Sequence, residues 1–346
     1  ILPGYDFVSS VVYSNDGNGL DADPTDPGDA VAAGECGAGE PAEDSSWHGL
    51  HLAGIMIAET DNNVGVAGIN HVSRLLPVRV LGKCGGTYSD IIAGILWAAG
   101  LPGSGAASIN PTPARVINLS FAAEQTCTAG VQDAIDRAVV AGAVVVTAAG
   151  NGYGVDVAGI LPAGCNNVIA VAATTRSGDI ASFSNVGSRV LLSAPGGDAL
   201  IAANGIYSLY NTGLTTPGVD GYAYFAGTSV AAAQVTAGIS LLFSVKPALT
   251  LSNVRTILSQ TAQAFPAGAC PAANCGAGIL DLNAPVQLAQ AYDTDTSTAV
   301  SSGGGGGGGC TLQTDAAGAS GSRDLAWLLV LSGLLLLRRT VQASRV

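Results

Sequence analysis

The sequence predicts an α/β fold, a doubly wound and mostly parallel sheet with helices on both faces. A Gly-rich linker and a short C-terminal hydrophobic helix are expected to follow it. Two observations carry this prediction. Continuous apolar runs of five to seven residues, without polar alternation, recur between segments whose apolar residues fall at helical spacing. Strands of that kind are covered on both faces, which is the signature of a parallel sheet packed between helices. The composition agrees: of 346 residues 48% are hydrophobic, 11% are charged and 48 are glycine, as expected of a tightly packed, turn-rich core.

The elements follow in order. Residues 1–45, rich in Asp, Gly and Pro, read as a long surface excursion. From Trp47 the texture changes, and residues 48–59 carry small and apolar side chains at helical spacing. The leucine-rich and β-branched runs at 75–81 and 116–120 read as buried strands, separated by a helical pattern at 88–99. A helix at 131–141, a strand at 143–148, strands at 168–173 and 190–194, and helices at 230–245 and 251–261 complete the alternation. In open α/β sheets ligands bind beyond the carboxyl ends of the strands, and Asn151 follows the 143–148 strand directly.

This reading makes residues 1–292 one domain. Residues 293–323 form a polar linker containing seven consecutive glycines at 303–309, a flexible composition. Residues 324–346 form a tail, with a thirteen-residue apolar run at 325–337 directly followed by Arg338 and Arg339. Thirteen residues are short for a bilayer span of about twenty, but the arginines fit a cytoplasmic end. A buried terminal helix is the competing reading.

The net charge of −12 and the lack of a basic cluster argue against nucleic acid as a partner. Of the seven cysteines, Cys36, Cys84, Cys127, Cys165, Cys270 and Cys275 lie in the expected globular part. An even number there suggests three disulfides and an oxidising compartment. Among the fifteen pairings the neighbour-to-neighbour set, 36–84, 127–165 and 270–275, is preferred, with free buried thiols as the alternative. The chain begins at Ile1 with no signal peptide, so a mature form or an N-terminally incomplete fragment is expected.

Three stretches carry chemistry. The sequence GTSVAAAQVTAG at 227–238 presents the Ser229 hydroxyl on a small-residue turn running into an apolar helix. HGLHLAG at 48–54 supplies an imidazole, and AAGN at 148–151 a side-chain amide. A serine hydroxyl is a poor nucleophile until an imidazole accepts its proton. An amide donor then stabilises the oxyanion, typically by about 3–4 kcal/mol. His48, Ser229 and Asn151 are therefore the candidate base, nucleophile and oxyanion donor. Taken singly, Ser229 reads equally as a helix N-cap and Asn151 as a turn residue. His48 with His51 could suggest metal ligation, but no second cluster supplies the further ligands. His71 reads as an ordinary loop residue.

These stretches resemble the signatures of the subtilisin-like serine proteases (peptidase S8), approximately HGTHVAG, AAGN and GTSMAAPHVAG. The resemblance runs in the right order over roughly residues 1–285. It implies a secreted endopeptidase that is acylated on Ser229, with His48 as general base and then acid. It further implies that substrate polypeptides pair as a strand against Ser120, Phe121 and Ala122, with Gly150 lining the same groove, and that the chemistry requires no cofactor.

Four departures qualify it. The apolar-Asp-Thr-Gly strand that supplies the orienting aspartate is absent, and none of Asp6, Asp16, Asp21, Asp23, Asp26 or Asp29 stands in that context. An aspartate upstream of Ile1 is expected. Leu50 replaces a threonine, Ala233 and Gln234 replace Pro-His, and Ala122 replaces a glycine, adding a methyl group that narrows the pocket for the substrate side chain. The absent aspartate with Leu50, Ala233 and Gln234 motivates a second reading, a catalytically impaired homologue that binds peptides or a partner protein through the same groove. An esterase-type hydrolase would instead carry Gly-x-Ser-x-Gly with its histidine last.

Asp16, Asn18, Asp21 and Asp23 place oxygens at spacings Ca²⁺ could use. A solvated acidic loop is the competing reading of the same residues. The tail resembles the bacterial GlyGly-CTERM sorting signal, which implies passage through the membrane and cutting by a rhomboid-type protease. It also implies a secreted or surface location on a Gram-negative cell. Cys310 then lies near the processing site.

Overall fold

The computed structural model describes residues 1–198, 200–270, 272–292 and 327–332. The main sheet holds β1 (Tyr5–Asp6), β2 (Arg74–Arg79), β3 (Val116–Leu119), β4 (Val144–Ala148), β5 (Val168–Thr174), β6 (Val190–Pro195) and, from the tail, β9 (Trp327–Ser332). Their spatial order is β1-β2-β9-β3-β4-β5-β6, with every pair parallel. A separate antiparallel hairpin pairs β7 (Ile206–Asn211) with β8 (Asp220–Phe225). The helices are α1 (Val11–Ser14), α2 (His48–Ile57), α3 (Tyr88–Ala98), α4 (Ala129–Val140), α5 (Thr228–Val245), α6 (Leu251–Thr261), α7 (Ala272–Cys275) and α8 (Asn283–Ala291).

Strand periodicity divides the core into two layers. Val144, Val146 and Ala148 of β4 pack with Leu52 and Met56 of α2, Val230 to Phe243 of α5, and Ile257 of α6. Val145 of β4 points the other way, with Ile117 and Leu119 of β3, onto Ile91 and Ile95 of α3 and Ile135 of α4. Both faces are therefore apolar, which explains the lack of alternation in the sequence. Several helix starts are legible in the same way. Thr87, Thr128 and Thr250 each accept a hydrogen bond from the backbone N–H three residues on, and Asn253 completes a capping box with Thr250. Each such cap contributes about 1 kcal/mol.

The three expected disulfides form, with Cα separations of 5.2 Å (Cys36–Cys84), 5.0 Å (Cys127–Cys165) and 6.3 Å (Cys270–Cys275).

Three expectations are corrected. Residues 1–45 are not a surface excursion throughout: β1 joins the sheet, and Asp6, Phe7 and Val8 are fully buried. Asp6 can be buried because Arg79 of β2 donates to its carboxylate at 2.5 Å. The β7–β8 hairpin falls in a stretch to which the sequence assigned no element. Trp327–Ser332, expected as part of a terminal helix, is instead a strand between β2 and β3, where an extended apolar segment finds hydrogen-bonding partners on both edges. The linker 293–323, Cys310 and the remainder of the tail lie outside the described residues. Among those described, the one helix long and apolar enough to span a membrane is α5, and it is the buried core helix.

Candidate active site

The hairpin delivers the chain into Gly227, whose N–H donates to the Gly196 carbonyl at 2.9 Å beyond the end of β6. The N-cap of α5 is Gly227 itself, and no side chain caps the helix. Ser229 therefore sits inside the first turn, partly exposed, and its hydroxyl is not consumed as a cap.

Asn151 follows β4 through Gly150, whose φ of +96° is a left-handed conformation that favours glycine. A side chain on Gly150 would also meet Asn185 Nδ2 at 2.5 Å. The Asn151 amide is oriented from one end. Its Oδ1 accepts the Thr228 N–H at 3.0 Å and the Thr228 hydroxyl at 2.9 Å, and the Gly150 N–H donates to that same hydroxyl at 3.0 Å. Its Nδ2 is left without a hydrogen-bond acceptor among the described residues.

Gly227 shows where that amide points. A methyl group built on Gly227 would lie 3.1 Å from Ser229 Oγ and 3.5 Å from Asn151 Nδ2. The φ of Gly227 is 165°, extended backbone open to any residue, so glycine is not required there by conformation. It keeps empty a point within reach of both the Ser229 hydroxyl and the Asn151 amide. An oxyanion developing on a carbonyl attacked by Ser229 would need such a space.

A second anchor holds Ser229 from below. The Thr236 hydroxyl donates to Asn118 Oδ1 (2.9 Å), Asn118 Nδ2 donates to Ser120 Oγ (2.7 Å), and that hydroxyl donates to the Ser229 carbonyl (3.1 Å). All three side chains are buried, and every donor in the chain has its acceptor. Sequence reasoning missed Thr228, Asn118, Thr236 and Asn185 in these roles. The polar Asn118 inside an otherwise apolar strand was the visible signal.

His48 opens α2, which packs against α5, and is 5% exposed. Its Nδ1 is buried with no hydrogen-bond partner, and no hydrogen bond joins the ring to Ser229 Oγ among the described residues. Burial, and secondarily the charge of His51, push its pKa down from 6.5 to about 4. An imidazole in that state is neutral at pH 7 but a weak base. A carboxylate on Nδ1 would raise it toward the working range.

His51 makes a structural contact through one ring nitrogen. Its Nε2 lies 3.1 Å from both the Ile206 and Ala223 carbonyls, so it carries the proton, and the ring stacks on Phe225 at 4.1 Å. It ties α2 to the hairpin that leads to Ser229. His71 lies exposed in a turn.

Of the substrate-contact candidates, Ser120 and Ala122 lie on the cleft side of the β3 extension, while the Phe121 side chain is turned into the α3/α4 core. Phe121 therefore contributes backbone only. Leu50 is 37% exposed. Gln234 donates to the Pro195 carbonyl at 2.5 Å, tying α5 to β6, and Ala233 is buried.

The acidic loop does not fit Ca²⁺ as arranged. Asp16 accepts the Asn18 N–H and the Arg79 guanidinium, Asp21 accepts the Asp23 N–H and the Asn18 amide, and Asp23 accepts from Thr25. Among the described residues no three His, Cys, Asp or Glu side chains gather to hold a metal.

Fold and site together define an α/β protein with a serine, a histidine and an asparagine amide at the carboxyl end of a parallel sheet. The chain belongs to the subtilase family (peptidase S8), whose model matches residues 21–297. It is 49% identical over 290 residues to an extracellular protease of Xanthomonas campestris pv. campestris, covering 84% of this chain and 48% of that protein. It is 40% identical to an extracellular basic protease of Dichelobacter nodosus, covering 83% and 47%. The chain thus spans about half the length of these curated relatives. Subtilisin DY of Bacillus licheniformis is 33% identical, covering 76% of this chain and 77% of that one. A solved structure described as proteases from Pseudoalteromonas arctica superposes with a TM-score of 0.79 at 45% identity, covering 83% and 84%.

Proposed function

We propose that the chain is the catalytic part of a secreted serine endopeptidase. The observation that carries this is the empty point at Gly227, reached by Ser229 Oγ and by an amide whose other end is fixed by Thr228. Ser229 Oγ attacks the scissile carbonyl while His48 takes its proton. Asn151 Nδ2 donates to the oxyanion. His48 then protonates the leaving amine, and water resolves the acyl-enzyme by the same steps reversed in role. The substrates are polypeptides, lying extended along Ser120, Phe121, Ala122 and Gly150. These steps use only groups of the protein chain. The extracellular proteases among its relatives support export.

No described carboxylate reaches His48 Nδ1. The slot between β2 and β3 is where one would be carried. A strand in that slot ends level with Arg79 and just past Leu119, beside Ser120, and packs under α2. We place the orienting carboxylate at the end of a strand that takes this slot and lies outside the described residues.

The tail is proposed as a transient membrane anchor of the exported precursor, cut by a rhomboid-type protease, on the strength of the apolar run followed by Arg338 and Arg339. A run in the bilayer cannot at the same time be β9. Deleting residues 324–346 from the complete gene product therefore decides between the two placements. Secretion without membrane retention, with a folded and active domain, supports the anchor. Loss of folding would make the run a permanent strand.

The function is tested by hydrolysis of casein and of peptide amides by the complete secreted product. Ser229→Ala and His48→Ala should each abolish turnover while leaving the melting transition in place. Turnover retained in Ser229→Ala would reject the assignment. A folded wild-type protein that binds peptides without cleaving them would indicate the non-catalytic reading.

A further inference from the structure

We propose that the site selects substrates whose residue before the scissile bond, P1, has a side chain no larger than that of alanine or serine, because Ala122 and Ile160 close the crevice that would receive it. The inference rests on the endopeptidase reading and adds a substrate class to it.

β3 and β4 are adjacent and parallel, and their extensions, residues 120–122 and 148–150, flank the crevice at the carboxyl end of the sheet. One extension holds the Ser229 carbonyl through Ser120, and the other runs into Asn151. An acyl group on Ser229 with its oxygen toward Asn151 Nδ2 directs the P1 side chain between these two segments. Side-chain alternation turns Phe121 into the core and Ala122 toward the crevice. A Cβ on Gly150 would stand only 3.2 Å from the Ala122 Cβ, so the gap between the two walls is too narrow for one further methyl group on the Gly150 side. Ala149, Val157, Ile160 and Ala163 fill the floor and are fully buried with it.

The walls are also fixed. Leu161 and Ala123 exchange two backbone hydrogen bonds of 2.9 Å, joining the floor to the β3 side. Asn185 holds the β4 side three times: its N–H to the Gly150 carbonyl (2.9 Å), its Nδ2 to the Ala149 carbonyl (3.0 Å), and its Oδ1 from the Gly152 N–H (2.8 Å). The Cys127–Cys165 bridge links the same two segments further out. Widening the crevice for a larger side chain would break several of these bonds. Discrimination by one methylene in an apolar pocket is about 10–200-fold.

The test uses the complete secreted product, with active sites titrated by a fluorophosphonate, and two peptide amides identical except for Ala or Phe at P1. The expected kcat/KM for Ala exceeds that for Phe at least tenfold, and Ala122→Gly shrinks that ratio at least tenfold. Ile160→Ala, which opens the floor instead of the wall, shrinks it too. A wild-type ratio near one, or favouring Phe, overturns the inference even if neither variant folds. A ratio unmoved in folded Ala122→Gly overturns the role of Ala122. Failure of the endopeptidase reading looks different: neither peptide is cleaved and Ser229 takes no fluorophosphonate, and the inference falls with it.

Discussion

Replacing Gly227 with alanine places one methyl group where the oxyanion is assigned. That methyl would lie 3.1 Å from Ser229 Oγ and 3.5 Å from Asn151 Nδ2. The backbone there is extended, with φ of 165°, so alanine introduces no conformational strain. The folding cost is confined to a poorer N-cap for α5, about 1 kcal/mol, and a small adjustment at the 3.1 Å contact. For a domain of this size that lowers Tm by about 2–4 °C. Catalysis should suffer far more. Losing one oxyanion donor costs about 10²–10³-fold in kcat, and a methyl that displaces the oxyanion removes at least that much. Measured with a peptide amide, Gly227→Ala should lower kcat by about 10³-fold or more. Asn151→Ala should lower kcat by about 10²–10³-fold with little change in KM. Because both act on one interaction, the double variant should be little worse than Gly227→Ala alone. A folded Gly227→Ala enzyme within threefold of wild-type kcat would refute the placement of the oxyanion.

Three further outcomes follow from other contacts. Asn118→Ala breaks the chain from Thr236 to the Ser229 carbonyl and leaves the buried Thr236 hydroxyl without its acceptor. It should destabilise the domain by about 1–3 kcal/mol and slow the reaction of Ser229 with a fluorophosphonate, as read by thermal melting and labelling rate. With no carboxylate on Nδ1 among the described residues, His48 is pushed down from 6.5 to about 4 by burial and binds fewer protons folded than unfolded between those values. Its contribution is complete above pH 6.5 and is lost as pH falls toward 4, about 3 kcal/mol in all. Asp6, pushed up to about 6 by burial, which outweighs the lowering by the Arg79 guanidinium, works in the opposite sense between pH 3.8 and 6. His48→Gln should therefore flatten the acid side of a denaturation-versus-pH curve, and an unchanged slope would contradict the burial of a neutral ring. Replacing Cys127 and Cys165 with serine opens a 38-residue separation. It should cost about 4 kcal/mol, seen as a lower midpoint in urea.

The candidate groups could be singled out in the sequence because their requirements are local. The turn at Ser229, the left-handed glycine before Asn151 and the small residues of α2 each fit within a few positions. The alternation of apolar runs with helical patterns likewise placed β2 to β6 and α2 to α6 to within a few residues. What could not be read depends on partners far along the chain. Asp6 looked like loop chemistry because its cation, Arg79, lies 73 positions away. The β7–β8 hairpin shows no clean alternation. Its inward face carries Ser208, which donates to the His51 carbonyl at 2.8 Å, and its other face carries the mutually tilted rings of Tyr207, Tyr222 and Tyr224. Leu50 and Gln234 looked like damage to the site and are neither: one faces solvent and the other caps a strand end.

The central claim is an activated Ser229. It is tested most directly by reacting the complete, folded gene product with a fluorophosphonate and mapping the adduct by mass spectrometry. The account predicts a single adduct on Ser229 that is absent in His48→Ala. A folded wild-type protein that takes no label, or one labelled equally well without His48, would contradict it.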